Sequence, residues 1–378
     1  MAEFPTQDIN ATDPDFEWPQ IWTTNLAYDT VLPWDMRATF EGIYSKDMNA
    51  IYVRNANLAN PVGTLPGPDG RPFYDPANNQ INDLGGGGVY VLDNTSDGYN
   101  YSFTSQLFKT FESGLAASLS YANAVAKNQM SSTEIASFLW QFNAVQGNPN
   151  QPELSFSEFG HRHRIVGAMN YQHNWSEKMG TSIGMFLEIA EGSFSTAGQR
   201  SRYSFTYAGD VNGDGQGGND LIYIPNDSSE ILLDPIMDGD GNVLVSSAEQ
   251  WSALNAFIEQ DDYLRSHRGE IAERFGAVNP WFWNMDLKIL QDVAFVMGSK
   301  RHTFQISLDV LNFANLLNDD WGVRKIANPA ATSPLVLTRF NDSGQPVFNF
   351  PGVESTHVND ISINSRWQAQ LGIRYLFN

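Results

Sequence analysis

Asp210, Asn212 and Asp214 fall at alternate places in GDVNGDGQGGNDLIYIP, Gly209 to Pro225, and Gly215 follows directly. A calcium-binding loop uses such a pattern. It sets oxygen donors at its first, third and fifth places, a glycine at the sixth for the sharp turn and a main-chain carbonyl at the seventh. Gln216 would supply that carbonyl. The twelfth place, where the loop needs a bidentate acid, holds Leu221, and Asp220 is the acid that would stand in for it. The same residues also suit a turn that binds nothing, because Asn, Asp and Gly tolerate left-handed backbone and Asx side chains hydrogen-bond the main chain two residues on. At the level of sequence both readings stay open. A thinner version, Asp238, Asp240 and Asn242, lies downstream.

Little else suggests chemistry. None of the six His has the helical i, i+4 spacing of a zinc protease. His161 and His163 alternate with Arg162 and Arg164 at the mouth of a strand pattern, and His302 lies on an apolar strand face. There is no G-x-S-x-G, no phosphate-binding loop and no dinucleotide fingerprint, and the glycine tract from Gly85 to Gly88 lacks the Lys-Ser/Thr that phosphate cradling needs. Zero Cys removes disulfides, thiolate metal sites and thiol catalysis together. A net charge of -21 argues against nucleic acid as a partner, because phosphate binding needs clustered Lys and Arg. We expect no catalytic centre, and so no enzyme.

The elements that must carry the acidic motif read as strands. In Ser365 to Phe377, Trp367, Ala369, Leu371, Ile373, Tyr375 and Phe377 form one face, while Arg366, Gln368, Gln370, Gly372 and Arg374 form the other. Eight further stretches read alike: near Gln20 to Val31, Met36 to Arg54, Tyr99 to Thr110, Gly114 to Ala126, His161 to Asn174, Gly180 to Glu191, Phe282 to Met297 and His302 to Ala314. No run of about 18 apolar residues occurs, which excludes a helical span but not a β-barrel, whose strands need only about 9–11 residues each.

The connections alternate between short and long. Turns near Leu32 to Asp35, Phe111 to Ser113, Trp175 to Met179 and Gly298 to Arg301 are short. Segments near Asn55 to Gly98, Lys127 to Gly160, Gly192 to Trp281 and Asn315 to Asn364 are long. Long structureless loops are uncommon in compact soluble domains, whereas outer-membrane barrels place short turns on the periplasmic side and long loops outside. Trp34 and Trp175 sit at short turns, and Trp22, Trp281, Trp283 and Trp367 at long-loop ends, as interfacial belts would require. Within the loops, Ser246 and Glu249 have capping-box spacing ahead of Trp251, Leu254, Phe257 and Ile258 at helical spacing, and Ser131 to Phe142 reads as a second short helix. Both are expected to be structured caps on an extracellular rim.

Several phrases carry a family resemblance: NLAYDTVLPWDMRATFEGIYSKDMNAIY (Asn25 to Tyr52), SEFGHRHRIVGAMNY (Ser157 to Tyr171), YSFTYAGDVNGDGQGGNDLIYIP (Tyr203 to Pro225), HRGEIAERFGAVNPW (His267 to Trp281), DVLNFANLLNDDWG (Asp309 to Gly322) and RWQAQLGIRYLF (Arg366 to Phe377). They resemble the C-terminal barrel region of TonB-dependent outer-membrane receptors, above all the Oar-like type of the Bacteroidetes. The resemblance implies import of a scarce large solute across the bacterial outer membrane, energised by the TonB complex. It implies that the last strand is read by the barrel-assembly machinery, although here Phe377 is followed by Asn378. It also implies that the plug domain and TonB-contacting segment lie N-terminal to these strands.

The expected fold is therefore all-β: about nine antiparallel strands forming the C-terminal part of a large transmembrane barrel in outer-membrane lipid, with long extracellular loops that contain short helices. MAEFPTQDINATDPDFEWP has no basic segment followed by an apolar stretch, so the expected signal would lie upstream and the chain would be a fragment. An unknown extracellular substrate, transported or merely bound by an adhesin-like surface protein, is the expected partner. A secreted β-rich carbohydrate-binding module fits less well, since it has no reason to alternate short and long connections.

Overall fold

A computed structural model describes residues 8–85, 87–131, 134–159, 162–193 and 201–377. His161, Gly86 and Asn378 of the patterns above lie outside the described residues, as do Ser132 and Thr133 of the second helix pattern.

Nine long strands dominate: Gln20–Leu32, Met36–Asn55, Tyr99–Thr110, Leu115–Asn128, His163–Ser176, Met179–Ala190, Phe282–Met297, Lys300–Leu311 and Gln368–Phe377. Each pairs antiparallel with the next in sequence, giving one continuous meander. The short connections all fall at one end of the sheet and the long ones at the other. The second strand runs to 20 residues, well beyond a membrane crossing. Its last turns pair instead with Val89–Thr95 of the first long loop, which in turn receives Ile9–Thr12 in parallel.

Register puts the alternation to work across strands. Lys288 and Asp309 are partners and form an ion pair of 2.7 Å on the polar face, and Gln305 donates to Asp292 there at 3.0 Å. Ile289, Leu308 and Leu371 line up across three strands on the apolar face. Parity also places residues that composition alone would put elsewhere. Gln291 and Thr181 are partners on the apolar face, near the short-turn end, where Thr181 donates to Gln291 at 2.6 Å and accepts from the Trp175 indole at 2.7 Å. Phe186 and Leu290 stand on the polar face. The strand ends differ slightly from expectation: the ninth begins at Gln368, because Trp367 is still held by the fourth long loop through Asn315 Oδ1 at 3.2 Å.

The main buried core lies outside the sheet, in the long loops. Leu65 comes from the first, Ala144 from the second, Phe205, Ile224, Leu254 and Phe257 from the third, and Leu335, Phe348 and Phe350 from the fourth. Each fully buried side chain of this size contributes about 1.5–3 kcal/mol, which opposes the cost of ordering loops, about 1–2 kcal/mol per residue. The helix Ser247–Gln260 forms as its sequence requires. Ser246 Oγ accepts from Glu249 N, the Glu249 carboxylate accepts from Ser246 N, and Leu254, Phe257 and Ile258 are buried on one face. The second short helix covers only Ala136–Gln141, and buries Trp140 completely.

Candidate functional site

The acidic motif sits at the centre of the loop assembly. Tyr207–Ala208 pairs in parallel with Leu335 and Val336 of the fourth loop. Asn212 O accepts from Tyr74 N of the first loop at 2.7 Å, and Leu221 N donates to Val145 O of the second at 3.0 Å. Residues 205–224 thus touch all three other long loops. Gly213 makes one approach possible: its φ is +80, and a Cβ there would lie 2.3 Å from Tyr74 O.

Its carboxylates are committed to N–H donors. Asp210 accepts from Gly213 N at 2.7 Å and Gly215 N at 2.8 Å. Asp214 Oδ1 accepts from Gln216 N at 2.7 Å, while its Oδ2 accepts from Asn212 Nδ2 at 3.0 Å and Asn219 Nδ2 at 3.2 Å. Asp220 Oδ2 accepts from Val211 N at 2.8 Å and Asn212 N at 3.0 Å, and its Oδ1 meets Arg71 Nη1 at 3.1 Å. Burial raises all three pKa values. Asp214 reaches about 7, helped by the charge of Asp220, and Asp220 reaches about 6 against the pull of Arg71. Burial alone would lower Arg71, but Asp69 and Asp220 outweigh it and hold the guanidinium charged.

A calcium ion needs 6–8 oxygens converging at about 2.3–2.6 Å. Among the described residues no three His, Asp or Glu side chains are grouped as a metal ion would require. Asp210, Asn212, Asp214 and Asp220 are brought close together, but they face amide donors, and Gln216 takes part through its N–H. The turn-forming role accounts for this geometry, in which each carboxylate accepts from amide N–H groups and Asp220 also meets Arg71. At Asp238 the thinner pattern likewise closes on its own backbone, with Oδ1 accepting from Asp240 N at 2.9 Å and Asn242 N at 2.8 Å. Sequence reasoning missed Arg71, which no local spacing connects to a carboxylate 149 residues away.

A cavity of about 470 Å³ opens where the second, third and fourth long loops meet. Phe138, Phe142, Tyr203 and Phe275 contribute apolar wall, and Arg202, Arg274 and Glu158 contribute charge. Arg202 donates to Phe275 O at 3.1 Å, with its guanidinium 4.1 Å from the centre of the Phe156 ring. Arg274 donates to Asn143 Oδ1 at 3.0 Å and Asn128 Oδ1 at 2.8 Å. Neither guanidinium is in an ion pair among the described residues. Burial lowers both pKa values, Arg274 to about 10. Phe138 and Phe142 meet edge to face at the mouth.

Below the loops the sheet's apolar face is bare. Leu26 is 80%, Leu371 72% and Ile373 73% exposed, a continuous apolar surface that water would not tolerate in a soluble monomer. Near the short turns that face carries an aromatic band: Phe295, His302, Phe304, Tyr375 and Phe377 contact one another across three strands, and Tyr171, His173 and Trp175 continue along the fifth. Near the long-loop ends, Trp22 meets Tyr44 and Trp283 meets Trp321. An apolar strip flanked by aromatics at both ends is the exterior of a β-barrel in lipid.

Comparison with curated proteins and with solved structures gives no match. A family model described as an outer membrane beta barrel domain matches residues 1–333, eight of the nine long strands and the first three long loops included. The face chemistry and this match agree: the chain belongs to the outer membrane beta barrel domain family and is a protein of the bacterial outer membrane.

Proposed function

We propose that this chain forms part of a TonB-dependent receptor of the Oar-like type, importing a scarce large solute captured by the long loops. The observation that carries the proposal is the loop assembly itself. Four connections that could have been independent instead share one core, and the second, third and fourth enclose a cavity above the strand ends. A protein that only needed to sit in the membrane would have no use for that much ordered chain. The resemblance of Asn25 to Tyr52 and Tyr203 to Pro225 to the receptor family points the same way. In this reading the lipid of the outer membrane, the barrel-assembly machinery and TonB are partners, the last through a plug domain. The outer edges of Gln20–Leu32 and Gln368–Phe377 have no strand partner among the described residues, and lipid cannot satisfy such edges. Further strands of the same barrel would close them.

A non-transporting surface protein is the second reading. It is favoured by the hairpin Ile236–Met237 with Val243–Val245, where Met237, Val243 and Leu244 are each more than half exposed. Competition between wild-type and deletion strains separates the two. Transport predicts a growth defect when one nutrient class, iron, glycan or peptide, is limiting, abolished as an advantage when TonB is also deleted. An unchanged growth rate in all three, with impaired attachment to surfaces, would favour the adhesin and overturn the transport reading.

A further inference from the structure

We infer that the cavity between the second, third and fourth loops binds an acidic solute with a flat apolar portion, held between a guanidinium pair and an aromatic mouth. The inference rests on the reading of the loops as a capture site and names the class of solute they capture.

Arg202 and Arg274 are 8% and 2% exposed. Long cationic side chains are almost never buried so deeply without a partner of opposite charge. The acceptors that hold them here are neutral: the Phe275 carbonyl for one, the Asn143 and Asn128 side-chain carbonyls for the other. Glu158 and Glu153 act on Arg274 only through space, as Glu191 and Glu273 act on Arg202. Burial works against both charges, and a ligand carboxylate, sulfonate or phosphate would offset that cost with charge-assisted hydrogen bonds of the strongest kind. Asn143 and Asn128 hold the Arg274 guanidinium through its hydrogen bonds to them, so its planar group is already ordered before a ligand arrives, which lowers the cost of binding.

The mouth of the cavity is apolar. Phe142 is 71% and Phe138 47% exposed, with their rings 5.5 Å apart. Two large aromatics held in solvent, one on a short helix and one at its C-terminal cap, otherwise lose the benefit of burial. A planar apolar body entering the cavity would cover them, and the volume, about 470 Å³, falls within the ordinary range for small-molecule sites.

The test uses the full-length outer-membrane protein in lipid nanodiscs and two probes, 2-naphthoate and its neutral analogue 2-naphthamide, followed by saturation-transfer NMR with empty nanodiscs subtracted. Naphthoate is expected to bind at least ten-fold more tightly than naphthamide. R274Q should cut the preference for naphthoate several-fold, the remainder being held by Arg202. F142A, an exposed position that leaves the fold alone, should weaken both by several-fold. Equal binding of the two probes to the wild type, or naphthoate binding unchanged in both variants, would overturn the site. If R274Q fails to fold, as judged by heat modifiability, R202Q takes its place with the same several-fold loss of preference expected, and an unchanged preference overturns the site. Energy-dependent uptake is measured separately. Naphthoate binding without any TonB-linked growth phenotype would sink transport and keep the site, whereas the phenotype without naphthoate binding would sink only the site.

Discussion

Arg71 of the first long loop and Asp220 of the third meet at 3.1 Å with both side chains wholly buried. Asp69 completes the guanidinium's surroundings at 2.7 Å, and the Tyr207 ring lies against it. Breaking one side of a buried pair leaves an uncompensated charge and costs about 3–5 kcal/mol. Arg71→Met should therefore loosen the loop assembly while the strands stay inserted. Protease treatment of whole cells should cut the third loop, with heat modifiability of the barrel retained. A loop as resistant as wild type would show that the pair does not hold the assembly together.

Asp214 makes the same assembly sensitive to pH. Its carboxyl is raised from 3.8 to about 7, first by burial and then by the charge of Asp220. A group raised in the folded state contributes stability that is complete below its unfolded value and is lost as pH climbs through the folded one. Each pH unit between the two is worth about 1.4 kcal/mol, which bounds the effect at about 4 kcal/mol. Asn219 offers the proton a home: its Oδ1 is buried without a partner, and exchanging its amide O and N would set that oxygen beside Asp214. The loops should resist proteinase K better at pH 5 than at pH 8, and Asp214→Asn should flatten the difference. Greater resistance at pH 8 in the wild type would reverse the sign and contradict the assignment.

Calcium is the third case. Because Asp210, Asp214 and Asp220 already accept from amides and Arg71, chelation should leave loop proteolysis unchanged at constant pH. Protection that appears on adding millimolar calcium and disappears in Asp214→Ala would restore the metal reading of the motif.

The sheet was legible because each of its signals is local. Parity in Leu115 to Tyr121 or in His302 to Val310 fixes a strand and its two faces without knowledge of partners, and turn length then fixes the ends. The acidic motif was legible as a turn-former, and the capping box at Ser246 as a helix start. What could not be read was the meeting of loops. Arg71 with Asp220, Val145 with Leu221, and Tyr207 with Leu335 are pairings between segments far apart in sequence, made by short stretches that carry no periodicity of their own. The cavity escaped for the same reason, since Arg202, Arg274 and Phe142 form a site only once three loops have packed. Gln291 and Thr181 show the limit of composition even within a strand: polar residues on the apolar face are tolerated beside Trp175, where an interfacial aromatic keeps them hydrogen-bonded.

The assignment of the two faces is tested most directly by moving one charge across the ninth strand. Ile373 is 73% exposed on the apolar face and lines up with Ile306, while Gln370 lines up with Asp309 on the polar one. Ile373→Arg should cost about 2–4 kcal/mol if the residue faces the middle of the bilayer, and Gln370→Arg should cost little. The measurement is the fraction of heat-modifiable, folded protein recovered from outer-membrane fractions for each variant. Strong depletion is expected for Ile373→Arg and near wild-type recovery for Gln370→Arg. Equal recovery of the two would overturn the assignment of the faces.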